Sequence, residues 1–462
     1  MEKSNNKITA FNIASTVILQ GLAFFSGPIF SGILGTSNYG ITVTYLAWVQ
    51  IAYTVFTLQA AGTIALARVY FPISDQLKYQ SSVLSLSFLT YTGFSILTLL
   101  FLFFTRSWLN SNLAMVLIGL LQGWGMYCVQ FLNNKFVYEF KAGKNFIFSV
   151  STAVLTIGLS LVLVYNFSAA NNYLGRILGQ AVIYILLGTA ISIYVFKAGK
   201  TTYNKQYWKF TLPVALPTVF HSLSNIVLLQ SDKVMLQGLL GNSATGIYSL
   251  ACTFSGVLNA IWNALNNSWV AFYYEYTRLG QIDTMKRHAR NYIELFTILT
   301  MGFILLAKEI FHVYANSAFW EGTDFIPLFS IGYYFVFLYS FCVNYEFYHK
   351  KTNMVAIATA SAAVSNIILN YICIQIWGIL GAVIATTLAH GFQFVFHYIS
   401  VQKIHPGEFP FKLKEFVPGL LAVCGTYILY IFTKDLWYIR WGLGFILGIY
   451  LLSKIIKRRE IF

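Results

Sequence analysis

From Ile8 to Ala67 the chain carries no Asp, Glu, Lys or Arg. A helix needs only about 20 apolar residues to cross a bilayer, and this uncharged stretch is long enough for two crossings. Comparable apolar runs recur to the C-terminus of a 462-residue chain that is 57% hydrophobic and 10% charged. Lipid offers backbone groups no hydrogen-bond partner, so each run must satisfy its own, as a helix does. The expected fold is an all-α polytopic membrane protein without a sizeable soluble domain. Lys3 and Lys7 followed by an apolar run resemble a signal peptide, yet the run from Ile8 to Leu34 is longer than an h-region and lacks a small-residue cleavage pattern. It reads as a retained first helix.

The pattern predicts fourteen spans, at 8–34, 40–66, 83–105, 111–133, 145–166, 173–197, 210–238, 244–272, 289–313, 322–346, 353–376, 378–401, 414–433 and 436–456. Lys and Arg set the expected orientation. With the N-terminus in the cytoplasm, 24 of the 30 basic residues fall on the inner side. Arg106, Arg176, Lys308, Lys434 and Arg440 lie at outer ends, and Lys233 lies in the membrane. Such asymmetry over short loops predicts both termini inside. Most of the net charge of +15 is then topogenic, which argues against nucleic acid as a partner.

An internal echo organises these spans. Leu240, Gly241, Ser243, Gly246 and Ile247 repeat Leu34, Gly35, Ser37, Gly40 and Ile41 at a constant offset of 206 residues. That offset covers six predicted helices, so the two copies share an orientation and are related by an axis along the membrane normal. The expected division is an N-terminal lobe at 1–197, a basic linker at 198–209, a C-terminal lobe at 210–401, and two extra helices with a basic tail at 402–462. Two six-helix lobes in parallel repeat point to a transporter with a central cavity between them.

Several activities lack their residues. Cys128, Cys252, Cys342, Cys373 and Cys424 stand in apolar runs without CxxC spacing or a histidine cluster, so no disulfide framework or metal site is indicated. There is no GxxxxGK[ST] loop for nucleotide hydrolysis. A membrane enzyme of polysaccharide assembly would need positioned acids in large outer loops, whereas Glu321, Asp324 and Asp435 are the few carboxylates in short ones.

The seventh span holds the adjacent pair Asp232 and Lys233 within apolar sequence. A charge at membrane depth costs roughly 2.5–3.5 kcal/mol on insertion scales, which makes both residues functional candidates. On a helix His221, Asn225 and Asp232 fall within about 40° of one another, either as a cavity wall or as helix-to-helix hydrogen bonds. Lys233 either meets an anionic substrate group, neutralises a neighbouring helix or snorkels outward. Pro213 and Pro217 each remove a backbone hydrogen bond and offer a hinge. In the eighth span Ser255, Asn259, Asn263 and Asn266 recur at helical spacing beside Trp262, a combination that suits sugar hydroxyls and rings or, alternatively, helix packing. Arg176 and Gln180 are four apart on the sixth span, where the guanidinium either attracts phosphate or anchors at the interface. Asn366 and Asn370 read as braces within the fold.

Three motifs carry a family resemblance: GPIFSGILGTSNYGI at Gly27–Ile41, SDKVMLQGLLGNSATGIYSLA at Ser231–Ala251, and SNIILNYICIQIWGILGAVIATTLAHG at Ser365–Gly391. In order and spacing they resemble the polysaccharide transporters of the multidrug/oligosaccharidyl-lipid/polysaccharide (MOP) exporter superfamily. The resemblance implies a MATE-like fold and a flippase for undecaprenyl-pyrophosphate-linked oligosaccharide repeat units of the O-antigen (Wzx) type. It also implies a bacterial inner membrane, membrane lipids as surroundings, and a polysaccharide polymerase and chain-length regulator as partners. No cofactor follows from it, and coupling to H+ or Na+ is left open. A MATE-type multidrug exporter and a lipid II flippase are the alternatives within the superfamily. A drug exporter favours a cavity rich in carboxylates, and the uncharged stretch from Ile8 to Ala67 lacks the cationic residues expected of a lipid II flippase.

Overall fold

The computed structural model describes residues 2–105, 112–404 and 406–458. Arg106 and Arg459, which enter the charge balance above, lie outside the described residues. Within them the chain is helical, with no strand: α1 (Glu2–Phe56), α2 (Ile64–Tyr70), α3 (Gln76–Phe104), α4 (Leu113–Tyr138), α5 (Ala142–Val164), α6 (Asn172–Gly199), α7 (Lys205–Leu240), α8 (Asn242–Arg278), α9 (Ile282–Tyr314), α10 (Ile326–Tyr348), α11 (Thr352–Ile404), α12 (Leu413–Phe432) and α13 (Trp437–Arg458). Ten helices among the described residues are long and apolar enough to cross a membrane. Two of these are double, because Gly35 interrupts α1 and Gly378 interrupts α11 with non-helical backbone. Counting each half separately, fourteen long helices correspond to the fourteen predicted spans.

The repeat is visible in the backbone itself. Gly35 has φ 70° and ψ 175°, and Gly241, 206 residues later, has φ 90° and ψ −179°. Only glycine adopts this region without strain, and at both places it breaks one helix from the next. A second pair at the same offset, Gly175 and Gly381, lets the helix that each begins press on the end of the preceding one. A Cβ would lie 2.5 Å from the Val164 nitrogen at Gly175 and 2.0 Å from the Cys373 oxygen at Gly381. Backbones can approach this closely in a membrane only where the side chain is missing.

The predicted span at 40–66 is corrected by the structure. Helix α1 ends at Phe56, Leu58 and Gln59 take φ of 53° and 47°, and a 3-10 turn at Ala60–Thr63 leads into α2. Ala60, Ala61, Ile64 and Ala67 are buried in a cluster with Tyr79, Val83, Tyr127 and Phe131, and Thr63 shares a 2.8 Å hydrogen bond with the Tyr79 hydroxyl. Packing of these small residues against tyrosines overrides the continuity of the apolar pattern. Six helices also begin earlier or end later than expected by five residues or more, at Glu2, Gln76, Tyr138, Lys205, Arg278 and Ile282. Each extension carries Lys or Arg, which a hydropathy window counts against a span although the helix continues into water.

The chain divides into two compact units, residues 1–234 and 235–462. The first is centred on Tyr79, Tyr127 and Phe131. Residues 205–234 of α7 belong to it. There Trp208 Nε1 donates to the Ser82 carbonyl at 3.1 Å, and the Thr211 and Tyr79 hydroxyls lie 2.9 Å apart. The second unit is centred on Trp269, Tyr292, Phe337 and Phe341. Helices α12 and α13, the C-terminal extra pair, pack on α9. Arg440, fully buried, donates to the Leu305 carbonyl at 2.9 Å and pairs with Glu309. Lys308 reaches Asp435 at 2.9 Å beside it.

Candidate substrate-binding site

Helix α7 runs without a break through Pro213 and Pro217 to Leu240 and carries the acid-base pair in its last third. Asp232 is buried, at 4% exposure, and Ser231 Oγ donates to its Oδ1 at 3.4 Å. Lys233 is half-buried, and its Nζ donates to Gln230 Oε1 at 2.7 Å. Gln230 Nε2 in turn donates to Gln50 Oε1 at 2.6 Å, across to the second half of α1. This chain of amides holds the ammonium with neutral acceptors. No carboxylate lies within ion-pair distance of Lys233 among the described residues, so its positive charge is positioned but not neutralised. Residue Gln230 could have been found from its spacing of three from Lys233. Gln50 has no sequence signal, because only the tertiary fold brings it there.

His221 and Asn225 are exposed on α7, about three and two turns before the pair. Arg176 sits with its guanidinium 3.4 Å over the Phe30 ring, a cation–π contact, and its Nη1 is buried without a hydrogen-bond partner among the described residues. Gln180 follows one turn on and is half-buried. The first motif explains itself near here: Asn38 Nδ2 donates to Asn172 Oδ1 at 2.8 Å and to the Ala169 carbonyl at 2.9 Å, while Asn172 Nδ2 donates to the Ile33 carbonyl at 3.1 Å. The motif clasps the start of α6 and so fixes where Arg176 stands.

In the second unit the polar line of α8 divides. Ser255 is buried and donates to the Ala251 carbonyl at 2.8 Å. Trp262 Nε1 donates to Ser340 Oγ at 3.4 Å, and Asn344 Nδ2 donates to Asn266 Oδ1 at 3.3 Å, which ties α8 to α10. Asn263 donates to the Asn259 carbonyl at 2.9 Å, and both stay half-buried. Asn370 Nδ2 donates to Asn366 Oδ1 at 2.9 Å, and Asn366 Nδ2 to Thr386 Oγ1 at 3.4 Å, bracing the two halves of α11. A pair the sequence reading passed over is Glu346 of α10 with His397 of α11, 2.8 Å apart at 0% and 1% exposure. A carboxylate inside an apolar span was the available signal for it. No group of His, Cys, Asp and Glu suited to a metal occurs among the described residues.

A family model described as polysaccharide biosynthesis protein matches residues 7–270, more than half of the chain. The chain belongs to that family. Polysaccharide biosynthesis proteins of this kind are flippases of the MOP superfamily, and the family and its structural neighbours are transporters rather than enzymes. A solved structure of the lipid II flippase MurJ, in an inward closed conformation, superposes with a TM-score of 0.71 at 16% identity, covering 98% of each chain. An inward-facing MATE family multidrug transporter gives a TM-score of 0.54 at 13% identity over 87% of this chain and 96% of that one. The Vibrio cholerae MATE transporter VcmN gives 0.54 at 13% identity over 89% and 98%. At these identities the likeness establishes the MOP fold. No curated protein sequence matches the chain.

Proposed function

We propose that the protein flips undecaprenyl-pyrophosphate-linked oligosaccharide repeat units, of O-antigen or a related surface polysaccharide, across a bacterial inner membrane by alternating access. The observation that carries this reading is Lys233, an intramembrane cation held by Gln230 and Gln50 without a carboxylate partner among the described residues. A diphosphate supplies the missing negative charge. Arg176, with a free guanidinium nitrogen, offers a second cation for the same chemistry. His221, Asn225, Gln180, Asn259, Asn263 and Trp262 are assigned to the passage of the sugars, since amides and an indole suit hydroxyls and pyranose faces.

The lobes that rock are assigned by the repeat, 1–197 and 210–401, and the hinge to Pro213 and Pro217, where the missing amide hydrogens leave carbonyls of the preceding turn free. The excess of basic residues supports assigning both termini and the 198–209 linker to the cytoplasm. Reconstitution of the purified protein in liposomes with a fluorescent lipid-linked oligosaccharide tests the activity. Protein-dependent access of an outside enzyme to the sugar is expected, and no transfer of any polyprenyl-diphosphate sugar, with drug efflux instead, would reject the assignment.

A further inference from the structure

At one end of the α11 hairpin, where its two halves start and finish, lies a groove of about 440 Å³ lined by Lys351, Met354, Phe396, Ile399, Ser400, Lys403 and Ile404. Lys351 immediately precedes the 53-residue element and Lys403 stands in its last turn, yet the break at Gly378 brings them to the same mouth. Neither ammonium has an acidic partner among the described residues. The carboxylate of this region, Glu346, is buried against His397 and gives no compensation.

We infer that this groove binds an anionic phospholipid, its phosphate between Lys351 and Lys403 and its acyl chains along α11. Two exposed apolar ridges leave the groove, one on each half of the hairpin. On the second half Ile399, Val395, Phe392 and Leu388 recur at steps of four, three and four. On the first half Met354, Ile357, Val364 and Ile368 lie on one side of the helix. A headgroup with two chains fits two ridges that diverge from one pair of cations. A polyprenyl diphosphate has one chain and leaves one ridge bare. Basic pockets between membrane helices take acidic headgroups for the same electrostatic reason. The site is wholly within the second unit and is independent of Lys233, so it stands whether or not the transport reading does.

The test is native mass spectrometry of the purified full-length protein with phosphatidylglycerol, with phosphatidylcholine and with undecaprenyl diphosphate. Phosphatidylglycerol should remain bound in preference to phosphatidylcholine. The double substitution Lys351→Gln with Lys403→Gln should weaken its retention roughly twenty-five-fold, about fivefold for each lysine. Lys351→Arg with Lys403→Arg should keep it, and Lys205→Gln with Lys209→Gln, which removes equal charge elsewhere, should leave it unchanged. Equal retention of phosphatidylglycerol by the Lys351/Lys403 Gln variant, an equal loss in the control pair, or a loss of undecaprenyl diphosphate instead of phosphatidylglycerol in that variant would each overturn the proposal.

Discussion

Lys233 Nζ lies 2.7 Å from Gln230 Oε1, and that amide passes the interaction on to Gln50. A charge supported in this way is directed without being quenched. Lys233→Gln is expected to lower the initial flipping rate by about tenfold to a hundredfold, since a charge-assisted hydrogen bond is worth roughly 1.5–3 kcal/mol. Membrane abundance should not change. Gln230→Leu should give an intermediate rate, because the cation remains but loses its orientation. Rates equal to the unsubstituted protein in both variants would remove Lys233 from the site.

Asp232, buried one residue earlier, is assigned to coupling if an ion gradient drives transport. Asp232→Asn should then flatten the dependence of flipping on pH or on sodium while leaving a basal rate. Unaltered dependence on both gradients would show that Asp232 only packs the helix.

The two helix-breaking glycines give a direct test of the repeat. Gly241→Ala should destabilise by about 1–3 kcal/mol, because its φ of 90° with extended ψ is closed to a side chain. Gly35→Ala should behave alike. Gly93→Ala, where a Cβ meets nothing within 4 Å, is the control and should be neutral or slightly stabilising. Thermal unfolding in detergent reads all three.

Glu346 and His397 are fully buried and bonded to each other. His397→Leu should destabilise by about 3 kcal/mol, since it leaves a carboxyl buried without that partner. Adding Glu346→Leu to the same chain should recover much of the loss. Additive losses in the double variant would mean that each side chain acts separately.

At the α12–α13 connection the hydrogen bond from Lys308 holds the Asp435 carboxyl below the usual aspartate range. A depressed carboxyl contributes stability above its unfolded value, near pH 4, and loses it as pH falls through the folded one. Melting curves of the unsubstituted protein should therefore drop more steeply below about pH 4 than those of Lys308→Gln. Parallel acid limbs would show that this pair contributes nothing.

The number, order and class of the helices were legible in the sequence because a bilayer imposes one rule on every segment: long apolar runs become helices. The duplication was legible too, since Gly35 and Gly241 recur for a backbone reason that any fold containing the motif must respect. Asp232 and Lys233 could be singled out from the expense of charge in lipid alone, and Arg176 from the affinity of a guanidinium for phosphate. Their surroundings could not. Gln50 meets Gln230 over 180 positions of sequence, Phe30 lies under Arg176, and Glu346 finds His397 51 residues away. The break at Leu58 and Gln59 has the same origin, for nothing in an unbroken apolar run foretells that Ala60 and Ala61 will be pressed against Tyr79 and Tyr127. Apolar run length encodes which segments enter the membrane, whereas the partner each side chain meets depends on how several helices pack at once, and only the tertiary structure decides that.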